Sequence, residues 1–303
     1  MRNRWLIALA AIGLHISIGS VYAWSVLTRP IMVDMGFTLS QTTWTFSLAI
    51  LMLGLSAGFL GSFAEKIGPK KSGLLAMLFW VAGLFGTAYA LSIHSLTLLY
   101  LFYGIIGGIG LGIGYITPVS TLVKYFPNRP GFATGLAIMG FGFASLIAGP
   151  LMQYLVAHVG LVNNFIILGI TYLIVMSASS LYLKAPTPKE PTRSNQDKST
   201  MYVHNHGMLA NDAMKTWQFG ALWWIFFINI TCGIGLLSLA SPMAQETIGM
   251  TPAAAASLVG IIGIFNGGGR IVWSTISDFL GRAQTYILFF IMEIIAFYLL
   301  SQT

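Results

Sequence analysis

Arg270 is the residue in this sequence best placed to do chemistry. It stands in an apolar run, directly after Gly267, Gly268 and Gly269 and eight positions before Asp278. At 1.5 Å per helical residue it lies about 12 Å inside the end of a spanning helix, near the middle of a bilayer. A charge at that depth is costly unless it faces a wet cavity or a partner, which makes it a functional candidate. Its guanidinium is planar and permanently charged, suited to a two-point grip on a carboxylate. The competing reading is a structural ion pair with a membrane carboxylate such as Glu293, which could itself carry a proton or serve packing. Asn266, one turn before Arg270, offers either a hydrogen bond to a ligand or a polar contact between helices. The spans hold no nucleophile–base pair and no phosphate loop, and His15 and His158 lack partners at metal-ligand spacing. Catalytic residues, metals and cofactors are therefore not expected, and the chain does not read as an enzyme.

A second set of residues could work as a gate. Residues 61–71 read GSFAEKIGPKK and residues 274–282 read STISDFLGR. Each has a small residue, an acid four positions on (Glu65, Asp278), a glycine three further (Gly68, Gly281) and a base close behind (Lys70, Arg282). The acids are 213 residues apart, and the same offset brings Gly36-Phe37-Thr38 onto Gly249-Met250-Thr251. The chain is thus two copies of one unit, with Arg270 falling on Ala57 of the first, so the fold alone does not demand an arginine there. An acid at a helix end can hydrogen-bond the free N–H groups of a neighbouring helix and pair with bases across the loop, while glycine allows the turn. Gly61, Glu65, Lys66, Gly68, Lys70, Asp278, Gly281 and Arg282 form this candidate gate, against the plainer alternative of well-capped static turns.

The elements that must position these residues are membrane helices. Hydrophobic residues make up 56% of the 303 and charged residues only 8%, too few to cover a water-soluble domain. Nine apolar segments are predicted, at 5–28, 42–64, 72–94, 97–123, 132–156, 162–184, 217–240, 253–276 and 284–301. The first lacks a small-residue cleavage site and reads as a retained helix. Thr38 to Gln41 fits a capping box, and Thr251-Pro252 a helix start. The glycine run in 104–114 lies in a span without a strand, so it reads as close helix packing. Cys232 reads as a small packing residue. Thirteen of the fifteen Lys and Arg fall at the N-terminus and in every second loop, with Arg29 opposite and Arg270 inside a span. This bias predicts a cytoplasmic N-terminus and makes the net charge of +7 a mark of topology, with no nucleic-acid partner expected.

The expected organisation is a six-helix bundle over 1–184, a polar cytoplasmic linker over 185–216 and an incomplete second bundle over 217–303. A second unit of equal length would end near residue 397, so a chain lacking about 94 residues, three helices, is expected. Such a chain is also expected to be unstable or inactive by itself.

The doubled loop resembles the signature of the major facilitator superfamily, G-x-x-x-D-R-x-G-R-R, with Pro69 and Phe279 as departures. Gly149-Pro150, closing the run GFGFASLIAG, is similar to the antiporter-associated motif of helix 5 in that superfamily. VYAWS, GIGYITP, KYFPNRPGFATG and NGGGRIVWSTISDFLGR resemble the oxalate/formate antiporter family. The resemblance implies an all-α polytopic fold of two parallel six-helix repeats, here six plus about three helices. It also implies that Arg270 binds substrate and that Tyr22, Trp24 and Tyr115 sit on cavity-lining helices, where rings can sandwich a small anion. Trp24, near a helix end, reads equally as an interfacial anchor. The expectation is a monomeric secondary transporter in the plasma or inner membrane, exchanging small carboxylates such as oxalate and formate by alternating access. A proton-coupled lactate or pyruvate carrier and a non-transporting membrane protein are the alternatives.

Overall fold

The computed structural model describes residues 3–186 and 210–302, and the regular elements among them are all helical. Eight helices are long and apolar enough to cross a membrane. The longest, Pro130–Tyr182, has 53 residues and breaks at Gly160, where φ is 82° and ψ 171°. A straight helix of that length would measure about 80 Å, more than twice a bilayer core, so it forms two passes. Nine passes result among the described residues, in the order the apolar segments predict. The predicted linker falls largely on residues 187–209, outside the described residues.

Two compact units are recognised, Met1–Pro186 with Leu237–Thr303, and Thr187–Leu236. The second contains the short α8 (Ala210–Ala213) and the start of α9 (Trp217–Thr247), where Trp223 stacks on Phe227 at 5.1 Å. The first holds everything that concerns the candidate site.

In that unit, α1 (Arg4–Gly19) starts on Asn3, whose side chain accepts from the Trp5 N–H. It tightens into a 3₁₀ turn over Ser20–Ala23 and continues as α2 (Trp24–Met35). The tightening follows Gly19, which lies against the backbone of Phe141: a Cβ there would stand 2.7 Å from the Phe141 Cα. Next come α3 (Leu39–Ile67), α4 (Pro69–Ser92) and α5 (Leu96–Leu99). A π-helical stretch, Tyr100–Gly107, then leads into α6 (Gly108–Tyr125). The remaining helices are α7 (Pro130–Tyr182), α10 (Pro252–Leu280) and α11 (Arg282–Ser301).

The repeat is written into the backbone. Thr38 forms the capping box with Gln41 at the start of α3, and Thr251 caps Ala254 at the start of α10, with proline in the first turn. The α3–α4 turn pivots on Gly68 (φ 82°, ψ 161°) and the α10–α11 turn on Gly281 (φ 91°, ψ 151°). Both positions lie where side chains are strained, so the glycine shared by the two loops is a steric requirement. The glycine run of α6 packs as read: a Cβ on Gly108 would lie 2.8 Å from the Ala49 carbonyl oxygen and one on Gly110 2.9 Å from that of Ala76.

Polar side chains are collected inside, His15, Ser72 and Thr117 among them, while Phe59, Phe265 and Phe279 point outward. This distribution suits a lipid surround, in which apolar residues can face out and polar ones must find partners inside.

Candidate functional site

The site is built where α7 and α10 cross. Small residues line the crossing. A Cβ on Gly142 would come within 2.6 Å of the Gly267 backbone, and one on Gly135 within 2.6 Å of the Arg270 carbonyl oxygen. Gly149, from the helix 5 motif, extends the seam, its Cβ position 3.1 Å from the Ala256 carbonyl oxygen; Pro150 beside it is exposed. With the backbones this close, a long side chain on α10 can reach past α7 to the first helix.

Arg270 does so. Its Nε donates to Asn266 Oδ1 at 2.8 Å and its Nη2 to the Tyr22 hydroxyl at 3.4 Å. The guanidinium carbon lies 5.7 Å from the Phe141 ring centre and 5.9 Å from that of Tyr22. Tyr115 also interacts with this guanidinium through its side chain. Phe141, fully buried, meets Tyr22 edge-on at 4.8 Å and Tyr115 edge-on at 5.4 Å. Asn266, Tyr22, Tyr115 and Phe141 are uncharged, so these contacts orient the cation without neutralising it. Arg270 also lines a cavity of about 440 Å³, together with Asn266, Trp273, Ser277, Arg282 and Tyr286. That volume suits a small organic ion.

Four of the five residues singled out as ligand-binding therefore come together: Arg270, Asn266, Tyr22 and Tyr115. Trp24 does not join them. It is fully buried against Tyr103 at 4.3 Å, and Tyr103 in turn meets Trp80 and Phe165. Its indole N–H has no hydrogen-bond partner, so neither the interfacial position nor contact with Arg270 describes it. Two residues apart on a helix, Tyr22 and Trp24 point to different faces of the first pass. Phe141, the centre of the cluster, carried no sequence signal beyond its glycine-rich neighbourhood.

The acid of each loop motif reaches another helix. Asp278 Oδ2 accepts from the Phe132 N–H at 3.1 Å, satisfying one of the free donors in the first turn of α7. Its Oδ1 pairs with Arg282 at 2.5 Å, and Arg282 also donates to Ser277. Glu65 pairs with Lys124, in the last turn of α6, at 2.8 Å. Lys66 and Lys70 are exposed on either side of the Gly68 turn, and Gly61 is half-buried on α3. Away from these loops, Arg29 of α2 donates to Gln245 of α9 at 3.0 Å, tying the first pass to the seventh.

The arrangement has a known setting. The model of the Major Facilitator Superfamily matches residues 7–302. The chain belongs to that superfamily. A solved D-xylose-proton symporter shares its fold, with a TM-score of 0.59 at 15% identity over 91% of this chain and 70% of the symporter. The chain is 29% identical over 284 residues to the uncharacterized MFS-type transporter YhjX of Escherichia coli (strain K12). It is 27% identical over 286 residues to the oxalate:formate antiporter of Oxalobacter formigenes. These matches take in 93% of this chain but 68% and 65% of the two relatives. Monocarboxylate transporter 14 of Homo sapiens is 28% identical over 62% of this chain and 36% of the relative.

Proposed function

We propose that this protein is a secondary carrier of small carboxylate anions, exchanging oxalate- or formate-type substrates by alternating access. The observation that carries the reading is Arg270, a cation deep in α10 that is oriented by uncharged groups and lines a cavity of about 440 Å³. A carboxylate bound at Arg270 takes the guanidinium in two-point fashion, and the Tyr22 and Tyr115 hydroxyls that now meet the cation can then donate to the anion. The name of the Oxalobacter relative supports the substrate class. The basic loops support a cytoplasmic N-terminus and a 1–184 bundle followed by a cytoplasmic linker; in this reading the carrier works as a monomer in the cell's plasma or inner membrane. In this scheme Asp278 on the first turn of α7 holds the cytoplasmic side closed, and breaking that contact opens it, while Glu65 with Lys124 braces the first bundle.

A second reading, proton-coupled monocarboxylate transport, is favoured by the monocarboxylate-transporter relatives and by the setting of His15. Binding of oxalate, formate and lactate to the purified chain, followed by exchange in proteoliposomes, tests the carrier reading. The expected result is saturable binding of one carboxylate that Arg270→Ala abolishes. Binding unchanged in that variant would remove Arg270 from the site.

A further inference from the structure

His15, on α1, is the fully buried histidine of the first pass, and the carrier scheme leaves it unused. Its Nδ1 meets the carbonyl oxygen of Ala137 on α7, and its Nε2 lies 3.0 Å from that of Tyr115 on α6. Both neighbours are pure acceptors. A neutral imidazole has one N–H and one lone pair, so it can satisfy only one of them and must point its lone pair at the other. An imidazolium has two N–H donors and satisfies both. Two carbonyls thus offer places for two ring protons, of which a neutral ring fills one.

It is also next to the anion site. The His15 ring lies 5.4 Å from that of Tyr115 and 6.1 Å from that of Phe141, and both of those residues contact Arg270. The ionisable groups facing His15 are Tyr115 from α6, Arg270 from α10 across Phe141, and Tyr22 from the turn that follows α1; α7 presents only Phe141 and the Ala137 carbonyl. With Arg270 unpaired, a second cation here would face a like charge across one layer of aromatic rings. A carboxylate on Arg270 offsets that charge.

We propose that His15 is the proton-coupling site: a carboxylate bound at Arg270 is accompanied by one proton from solvent, held on His15 between the Ala137 and Tyr115 carbonyls. The proposal rests on the reading that Arg270 binds the anion. It takes up the second reading, proton-coupled carriage, in place of exchange of unaccompanied anions, because the proton and the carboxylate stabilise each other and must do so reciprocally. His15 touches no substrate; it acts through Tyr115, Phe141 and the field at Arg270.

The test is the proton count on binding. Calorimetry of oxalate, formate and lactate binding to the purified chain, in buffers of different ionisation enthalpy, gives protons taken up per anion. About one proton per anion is expected, with affinity rising as pH falls, by a total of about 5- to 150-fold. His15→Gln is expected to lose both the proton uptake and the pH dependence. Imidazole ¹⁵N spectra of the unsubstituted protein provide a readout that does not depend on the variant folding: anion addition should convert His15 to the doubly protonated form. Binding without proton uptake, uptake that survives in His15→Gln, or a ring that stays neutral with anion bound would each overturn the proposal and leave Arg270 standing. No anion binding by the unsubstituted protein at any pH would remove the Arg270 reading and this one together.

Discussion

Replacing Gly142 by alanine tests the crossing that brings Arg270 to Tyr22. The added Cβ would lie 2.6 Å from both the Cα and the N of Gly267, where an ordinary contact is 3.4–4 Å. These are backbone atoms, which cannot rotate away, so α7 and α10 must separate by about 1 Å. Overpacking of this kind costs about 1–3 kcal/mol. Alanine's better helix propensity offsets up to about 1 kcal/mol, leaving a net loss of up to about 2 kcal/mol at full offset. Gly268→Ala is the control, because no atom lies within 4 Å of its Cβ position on the same helix. Only the propensity term acts there, so that variant should be as stable as the parent or slightly more so. Thermal unfolding in detergent, followed by tryptophan fluorescence, compares the two. Gly142→Ala should melt below the parent and Gly268→Ala at or above it. Equal melting of the two variants would refute the close crossing and with it the reason Arg270 reaches the first pass.

Three further outcomes follow from the site. Arg270→Lys keeps the charge but loses the planar fork, so carboxylate affinity should fall by about 10- to 100-fold in the binding assay. Tyr22→Phe removes one hydroxyl from Arg270 and should weaken binding by about fivefold, the value of a single hydrogen bond, whereas Trp24→Phe, whose indole N–H is unpartnered, should leave affinity within about twofold. Asp278→Ala removes both the Phe132 N–H acceptor and the charge on the first turn of α7, and should cost about 1–3 kcal/mol in detergent unfolding; Asp278→Asn should recover part of it by keeping an acceptor.

Much of this architecture is local and so was readable in the sequence. The Gly68 and Gly281 turns follow from a backbone conformation that other residues adopt only under strain, and the Thr38 and Thr251 caps from hydroxyls that satisfy free N–H groups at a helix start. Apolar length alone predicts the passes, and depth from Asp278 alone makes Arg270 conspicuous. The partners of those residues follow no such rule. Arg270 and Tyr22 are 248 residues apart, Asp278 and Phe132 146, and Glu65 and Lys124 59. Their meeting depends on which faces of α7 and α10 carry glycine and on which helices flank the first pass, so that Tyr22 meets Phe141 and Trp24 meets Tyr103. For His15 the sequence shows an isolated histidine; only the fold reveals two carbonyl oxygens, from two other helices, facing its two nitrogens. The sequence by itself determined the membrane class, the repeat and the central cation, because hydropathy, turn sterics and the cost of a buried charge all act over a few residues. What surrounds that cation was decided by tertiary structure, because helix crossing depends on the shapes of two surfaces distant in the chain.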